Sequence, residues 1–146
     1  MALSFLDRIR GGRPITSDGA MGTLINQRMN GFHGCFDELN VSKPALIEEI
    51  HRQYLDAGAE LIKTNTFGAN PFKLAENGLE NHLCEINAAG YQIAASAISQ
   101  SGKRAWIAGD VGPLGVRLAL DAAPAGPAGL ANRRQGVRTH PLRRGA

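Results

Sequence analysis

An acidic side chain followed by two glycines stands near the start of the chain, in Asp18-Gly19-Ala20-Met21-Gly22-Thr23. Glycines in a turn between a strand and a helix let backbone N–H groups approach a ligand closely. A carboxylate beside free N–H donors suits a zwitterion, because the acid can face an ammonium group while the amides face a carboxylate. An amino acid fits that description. The alternative is that Asp18 forms an Asx turn with the backbone that follows it.

Two further polar segments follow predicted strands. Asn65 lies between two threonines and can reach either a pocket or its own loop, and Asp110 can serve as a general base or as a turn residue. In parallel β/α folds, ligands bind at the carboxyl ends of the strands. We therefore expect the three segments, 18–23, 64–70 and 109–115, to line one site.

The elements that position these segments follow from hydrophobic spacing and from helix-ending residues. Ser42 is the expected N-cap of an amphipathic helix that stops at Gly58, and Gly102 is expected to end a longer helix. The predicted strands cover 14–17, 60–67 and 105–108, and the predicted helices cover 23–29, 42–58, 72–77 and 80–101. This alternation indicates βαβ units with a parallel sheet.

Other motifs are weak. Cys35 and Cys84 are 49 positions apart, which is the spacing of neither a disulfide framework nor a zinc knuckle, so we expect two reduced thiols. No glycine-rich segment matches a dinucleotide or phosphate-binding loop. The histidines show no metal-ligand spacing and are expected to face solvent or to be structural, with His51 on a charged helix face: His33, His51, His82 and His140.

The positive charge belongs to the end of the chain. The 146 residues carry a formal net charge of +3, and residues 121–146 contain five arginines against Asp121 alone. That segment has no Ile, Phe, Tyr, Trp or Met, so it can bury little apolar surface. Three interpretations remain for residues 119–146: a disordered solvated tail, a basic nucleic-acid arm, or an aberrant end that replaces the continuation of a larger domain. We accordingly place a domain boundary after residue 118.

Taken together, the blocks of sequence in residues 3–118 resemble the start of the homocysteine S-methyltransferase family. The resemblance is closest to the forms in which this domain precedes a methylenetetrahydrofolate reductase domain, and to the homocysteine module of cobalamin-dependent methionine synthase. It is carried by residues 18–23, 35–40, 44–52, 54–59, 64–70, 73–75, 87 and 109–115, in the family's order.

The resemblance implies a (β/α)₈ TIM barrel that transfers a methyl group to the thiol of homocysteine, forming methionine. It also implies that Asp18 holds the homocysteine ammonium and that backbone amides hold the carboxylate. The implied site residues are Asp18, Gly19, Ala20 and Met21, with Asn65, Thr66 and Phe67 lining the mouth of the second strand. In the complete family domain, zinc held by three cysteines binds the thiol and lowers its pKa.

The zinc cysteines of the family, one late in the barrel and an adjacent pair near its end, have no counterpart in this sequence. We therefore expect about three of eight βα units, no metal or other cofactor in this chain, and no methyl transfer by the chain alone. An unclosed set of strands exposes its edges, so poor solubility or a molten state is also expected.

The partners expected from the sequence are homocysteine and a methyl donor that the sequence does not identify. The chain has no signal-peptide or membrane-spanning stretch, so we expect a cytoplasmic protein that does not associate with membranes. Two alternatives remain open: a non-catalytic fragment that assembles with a partner completing the barrel, and a nucleic-acid-associating protein. The second is disfavoured because the arginines of the basic segment have no aromatic neighbours for base stacking: Arg133, Arg134, Arg138, Arg143 and Arg144.

Overall fold

Two short parallel strands and six α-helices make up residues 4–115, the part of the chain that the computed structural model describes. The strands are β1 (Leu61–Lys63) and β2 (Trp106–Ala108). The helices are α1 (Phe5–Arg10), α2 (Met21–Arg28), α3 (Leu39–Ser42), α4 (Pro44–Asp56), α5 (Pro71–Ala75) and α6 (Leu83–Ser101), the last preceded by a 3₁₀ turn, Glu80–His82. The boundary after residue 118, the segment 119–146 and its arginines, and His140 lie outside the described residues.

The sheet is parallel, as predicted, and smaller than predicted. Leu61, Ile62 and Lys63 of β1 pair with Trp106, Ile107 and Ala108 of β2. On the other side of β1, the predicted strand 14–17 contributes only one parallel bridge, from Ser17 to Leu61. The order is therefore the Ser17 segment, β1, β2. Because all the pairings are parallel, the three carboxyl ends lie at the same end of the sheet.

The first strand prediction is too long because its earlier backbone groups have other partners. Pro14 has no N–H to donate. The carbonyls of Arg13 and Pro14 accept hydrogen bonds from the Arg8 guanidinium at 2.7 and 2.8 Å. The same guanidinium binds both carboxylate oxygens of Glu60, at 2.9 and 3.0 Å, which fastens α1 to the residue before β1.

The aromatic contact of α1 also lies at the amino ends of the strands. The Phe5 ring meets the Trp106 ring edge-on, with 5.5 Å between centroids and an interplanar angle of 61°. Because Trp106 is the first residue of β2, α1 packs at the end of the sheet where the strands begin, away from their carboxyl ends.

The predicted start of the amphipathic helix is wrong, whereas its end is confirmed. Ser42 is the last residue of α3 and donates its hydroxyl to Glu38 Oε2 at 2.8 Å, so it does not cap α4. Lys43 occupies the N-cap position, and Pro44 begins the helix. Gly58 follows α4 with a φ of 101°, a left-handed conformation that favours glycine.

The other boundaries differ by a few residues for local reasons. The strand predicted over 60–67 ends at Lys63, because the chain turns tightly where Thr66 N–H donates to the Thr64 carbonyl at 2.9 Å. The helix predicted over 72–77 begins at Pro71 because the Asn70 side chain caps its first turn. Gly102 has a φ of 65° and ends α6 as predicted.

The core forms where α4 and α6 pack on each other and on the sheet. One group of buried side chains lies between α2, α3, α4 and α6, and a second lies between α4, α6 and β1. Their members are Ile25, Leu39, Ile47, Ile50 and Ile93, and Leu55, Ala59, Ile62, Ala94 and Ala97. Within residues 4–115, no helix has the length and apolar character needed to cross a membrane.

His51 is buried in α4 and is fully inaccessible to solvent, so the expected charged helix face does not include it. Neither ring nitrogen has a hydrogen-bond partner within residues 4–115. Burial lowers the pKa of His51 to about 4 because the protonated ring loses its hydration. The imidazole is therefore neutral at pH 7 and packs as a structural side chain.

Candidate functional site

A cleft of about 570 Å³ opens at the carboxyl ends of the strands. It is the place where the three polar segments were expected to meet. Of the expected site residues, all but Thr66 line this cleft: Asp18, Gly19, Ala20, Met21, Asn65 and Phe67. Asp110 from the loop after β2 lines it as well.

Asp18 places a buried carboxylate at the base of this cleft, with its side chain 3% exposed. Its Oδ2 accepts the Lys63 backbone N–H at 2.8 Å, and its Oδ1 accepts the Ser17 hydroxyl at 3.1 Å. Burial raises the pKa of Asp18, while these hydrogen bonds and the Lys63 ammonium oppose that rise. The carboxylate bonds to a neighbouring strand, and within residues 4–115 it makes no Asx turn with the amides that follow it.

The backbone after Asp18 presents free hydrogen-bond donors. Within the described part of the chain, the N–H groups of Gly19 and Ala20 have no acceptor. Ala20 is the N-cap of α2 and provides no capping side chain, so the first-turn amides of that helix are also free. Such a helix start attracts anions. Gly19 lets the turn pack closely, since a Cβ there would lie 3.0 Å from the Tyr54 hydroxyl oxygen.

Asn65 contributes mainly to the support of the cleft wall. Its amide nitrogen donates to the Phe36 carbonyl at 2.8 Å and to Asn40 Oδ1 at 3.1 Å. Asn40 in turn donates to the Asn65 carbonyl at 2.7 Å and to the Ile86 carbonyl at 3.2 Å. This buried amide pair joins the start of α3, the loop after β1 and α6. Asn65 thus lines the cleft, and its side-chain amide bonds to residues outside its own loop.

Thr66 and Phe67 connect the loops that follow the two strands. Thr66 Oγ1 donates to the Asp110 carbonyl at 2.9 Å, and the Asp110 N–H donates to Thr64 Oγ1 at 3.0 Å. The Phe67 carbonyl accepts the Gly112 N–H at 3.0 Å. Thr66 is therefore a positioning residue beneath the cleft, and Asp110 is held by its backbone while its side chain lines the cleft.

Asp37 was missed by the sequence analysis although it lines the cleft and is buried. Its Oδ1 accepts the Gly68 N–H at 2.9 Å. A Cβ on Gly68 would lie 2.5 Å from Asp37 Oδ2, so this approach requires a glycine. Burial raises the pKa of Asp37, against the hydrogen bond from Gly68. Only the position of Asp37 within the family-like block 35–40 could have drawn attention to it.

Comparison with known proteins identifies the family. The sequence model of homocysteine S-methyltransferase matches residues 15–140, which is most of the chain. The chain belongs to the homocysteine S-methyltransferase family. The match begins and ends later than the resemblance over residues 3–118, and it continues past the described residues.

Relatives of this family member include two methionine synthases and one solved methyltransferase. The methionine synthases of Mycobacterium leprae (strain TN) and Mycobacterium tuberculosis (strain ATCC 25618 / H37Rv) are 33% and 32% identical to it over 110 residues. Those residues are 69% of this chain and 9% of each relative. The metallated Escherichia coli homocysteine methyltransferase MmuM is 26% identical with a TM-score of 0.62, covering 87% of this chain and 43% of MmuM. The chain thus spans about a tenth of the methionine synthases and less than half of MmuM.

The described part of this homocysteine S-methyltransferase family chain does not fit the zinc of the family. Within residues 4–115, no three His, Cys, Asp or Glu side chains cluster so as to hold a metal ion. Cys35 is a free, half-buried thiol in the cleft wall, and Cys84 is a free, exposed thiol on α6. Burial raises the pKa of Cys35, so its protonated form is favoured rather than the thiolate that a metal binds.

Proposed function

We propose that the cleft is the homocysteine-binding part of a domain that transfers a methyl group to the thiol of homocysteine and so forms methionine. The observation that carries this proposal is the buried Asp18 carboxylate beside the free N–H groups of Gly19 and Ala20. These groups match the two charges of an amino acid. Membership of the family and the likeness to MmuM support the choice of homocysteine.

In this proposal each expected site residue has one role. Asp18 holds the ammonium group, because a hydrogen bond between a carboxylate and a charged N–H donor is roughly twice as strong as a neutral one. The amides of Gly19, Ala20 and Met21 hold the carboxylate. Asn65 and Thr66 position the loop after β1, and the half-exposed Phe67 ring lines the mouth of the cleft.

We further propose that the chain is the first part, about three βα units, of a (β/α)₈ barrel and does not transfer methyl groups alone. The two strands and the Ser17 bridge support this, because they place three successive strand ends side by side. Zinc supplies thiol activation in the complete family domain, and the sequence has only Cys35 and Cys84 as cysteines. Neither sits in a cluster that could hold a metal within the described residues.

The substitution Asp18→Asn tests the binding role. It keeps the shape of the side chain and removes the charge, so homocysteine affinity should fall about 10-fold or more, the usual effect of losing a charged hydrogen bond. Titration of homocysteine into the isotope-labelled full chain, followed by backbone amide NMR shifts, measures the affinity. Asp7→Asn on the exposed α1 is the matched control and should leave it unchanged. Equal affinities for Asp18→Asn and wild type would refute the assignment.

Zinc analysis and a methyl-transfer assay test the absence of turnover. The purified full chain should hold less than one zinc per molecule and should release no methionine with methylcobalamin, S-methylmethionine or betaine as the donor. Stoichiometric zinc together with methionine formation would refute this part of the proposal while leaving the binding role intact.

A second candidate is a non-catalytic chain that joins a partner carrying the remaining strands of the barrel. Within residues 4–115, β2 has a strand partner only on the β1 side, which leaves its other backbone edge open. Mixing the chain with the remaining portion of a family barrel, expressed separately, tests this idea. Restored methyl transfer and a one-to-one complex by native mass spectrometry support it, and failure to associate contradicts it.

A further inference from the structure

The Lys63 ammonium group lies beside the Asp18 carboxylate without forming a hydrogen bond to it. The distance from Lys63 Nζ to Asp18 Oδ1 is 3.9 Å, which is too long for a hydrogen bond. The Lys63 side chain is 40% exposed, and within residues 4–115 its ammonium has no hydrogen-bond acceptor. Its donors are therefore free to face the cleft.

Lys63 is positioned by the sheet. It is the last residue of β1, and its N–H donates to Asp18 Oδ2 at 2.8 Å. The same residue thus fixes the carboxylate through its backbone and places a positive charge next to it through its side chain. The pair offers one negative and one positive group at two neighbouring strand ends.

The spacing of this pair suits an α-amino acid. From standard bond lengths, the amino nitrogen and the carboxylate carbon of an amino acid are roughly 2.5 Å apart. When its ammonium is on Asp18, the attached carboxylate is therefore within reach of the Lys63 ammonium, which lies 3.9 Å from Asp18 Oδ1. The four charges then alternate in sign, and each faces an opposite charge.

The charged residues of the cleft disfavour an anionic group, and Lys63 opposes that effect beside Asp18. The ionisable residues with negative charge outnumber the positive ones around it: Asp18, Asp37, Glu76 and Asp110 against Lys63 and Lys73. Lys73 Nζ lies over the Phe67 ring, 5.4 Å from its centroid. A carboxylate that enters beside Asp18 meets repulsion unless a nearby cation offsets it, and Lys63 is the cation in contact with Asp18.

We propose that Lys63 is a substrate-binding residue that holds the carboxylate of the amino acid, and that it makes the site select zwitterionic α-amino thiols over thiols carrying a single charge. The proposal rests on the proposed function, in which Asp18 holds the ammonium. The amides of the α2 start supply partial charges for the carboxylate, and Lys63 supplies the full charge.

Three thiols separate the two charges of the substrate. Homocysteine carries both, 3-aminopropane-1-thiol carries only the ammonium, and 4-mercaptobutanoate carries only the carboxylate. Each is titrated into the labelled full chain and into its Lys63→Met and Lys63→Arg variants, with amide NMR shifts as the readout. Lys63→Met should weaken homocysteine and 4-mercaptobutanoate about 10-fold or more, the usual effect of losing a charged hydrogen bond. The aminothiol should bind at least as well as before, and Lys63→Arg should restore carboxylate binding.

The other outcomes overturn the proposal in distinguishable ways. If Lys63→Met raises the affinities for homocysteine and for the aminothiol equally, Lys63 competes with the ligand's ammonium for Asp18 and the proposal is wrong. The proposal is also refuted if each of the three thiols binds wild type and Lys63→Met with the same affinity. If Lys63→Met lowers the affinity for homocysteine and Asp18→Asn does not, only the assignment of Asp18 in the proposed function is rejected. If wild type binds none of the thiols, both proposals fail. Should Lys63→Met fail to keep the wild-type amide spectrum, Lys63→Gln replaces it.

Discussion

The close approach of α6 to the buried amide pair makes Gly90→Ala the most informative stability test. A Cβ at position 90 would lie 2.8 Å from Asn40 Nδ2 and 2.8 Å from Thr66 Cγ2, well inside normal contact distances. Asn40 cannot move away freely, because the same nitrogen donates to the carbonyls of Asn65 and Ile86. The added methyl group must therefore displace a bonded side chain or the helix itself.

The expected change in the free energy of unfolding combines one stabilising effect and two destabilising effects. Alanine is a better helix former than glycine by about 1 kcal/mol in a helix interior. Overpacking of a well-packed core costs about 1–3 kcal/mol. Leaving a buried carbonyl without its donor costs about 1–3 kcal/mol more. The net expectation is that the free energy of unfolding falls by about 2–3 kcal/mol, which lowers the melting temperature of a domain this size by about 10 °C or more.

The matched control is Gly22→Ala in α2, where a Cβ would meet nothing within 4 Å. Both changes replace a helical glycine by alanine, so both favour the helix, and they differ in what the added methyl group meets. Urea unfolding of the full chain, followed by circular dichroism, should show Gly22→Ala as stable as wild type or slightly more stable, and Gly90→Ala clearly less stable. A Gly90→Ala variant that matches Gly22→Ala would refute the packing argument.

Two pH-dependent predictions concern buried or paired charges. An unfolded chain protonates His51 near pH 6.5 while the folded chain does so only near 4, so the wild-type free energy of unfolding should fall by about 3 kcal/mol from pH 7 to 4 through this residue. His51→Leu should shrink that fall in urea titrations across this range, and an unchanged fall would contradict the assignment. The Arg8 guanidinium holds the pKa of Glu60 below its usual value. The pair therefore stabilises the fold fully when the pH is above the usual Glu60 pKa, and this stabilisation is lost as the pH falls through the lowered pKa. Arg8→Met should return the Glu60 pKa upward in a carboxyl NMR titration, and a constant pKa would show that another group sets it.

Local sequence was sufficient where one residue type decides the backbone conformation. Gly58 and Gly102 adopt left-handed conformations after α4 and α6, and the parallel pairing of β1 with β2 follows from the strand and helix alternation. Ser42 shows the opposite case. It has the side chain of a good N-cap, but α3 extends to it, and its hydroxyl bonds to Glu38.

The site was predictable only in part, because its supporting contacts join distant parts of the chain. Asp18 was found because it follows a strand-like segment and precedes a glycine. Asp37 and Asn40 bond to residues 31 and 25 positions away, at Gly68 and Asn65. Such partners depend on the packing of α3 against the loop after β1, and no local pattern reports that packing. The sequence likewise predicted only a strand at Lys63, because its contact with Asp18 depends on the bridge between Ser17 and Leu61.

The edge-on contact of Phe5 with Trp106 determines what an optical measurement of this protein would report. Trp106 is the single tryptophan of the sequence, and it stands at the amino end of β2, on the opposite side of the sheet from the cleft. Its intrinsic fluorescence therefore senses the detachment of α1. A mutation that loosens the amino-terminal helix should change the emission spectrum while the cleft stays intact, and a ligand that fills the cleft should leave the emission unaltered.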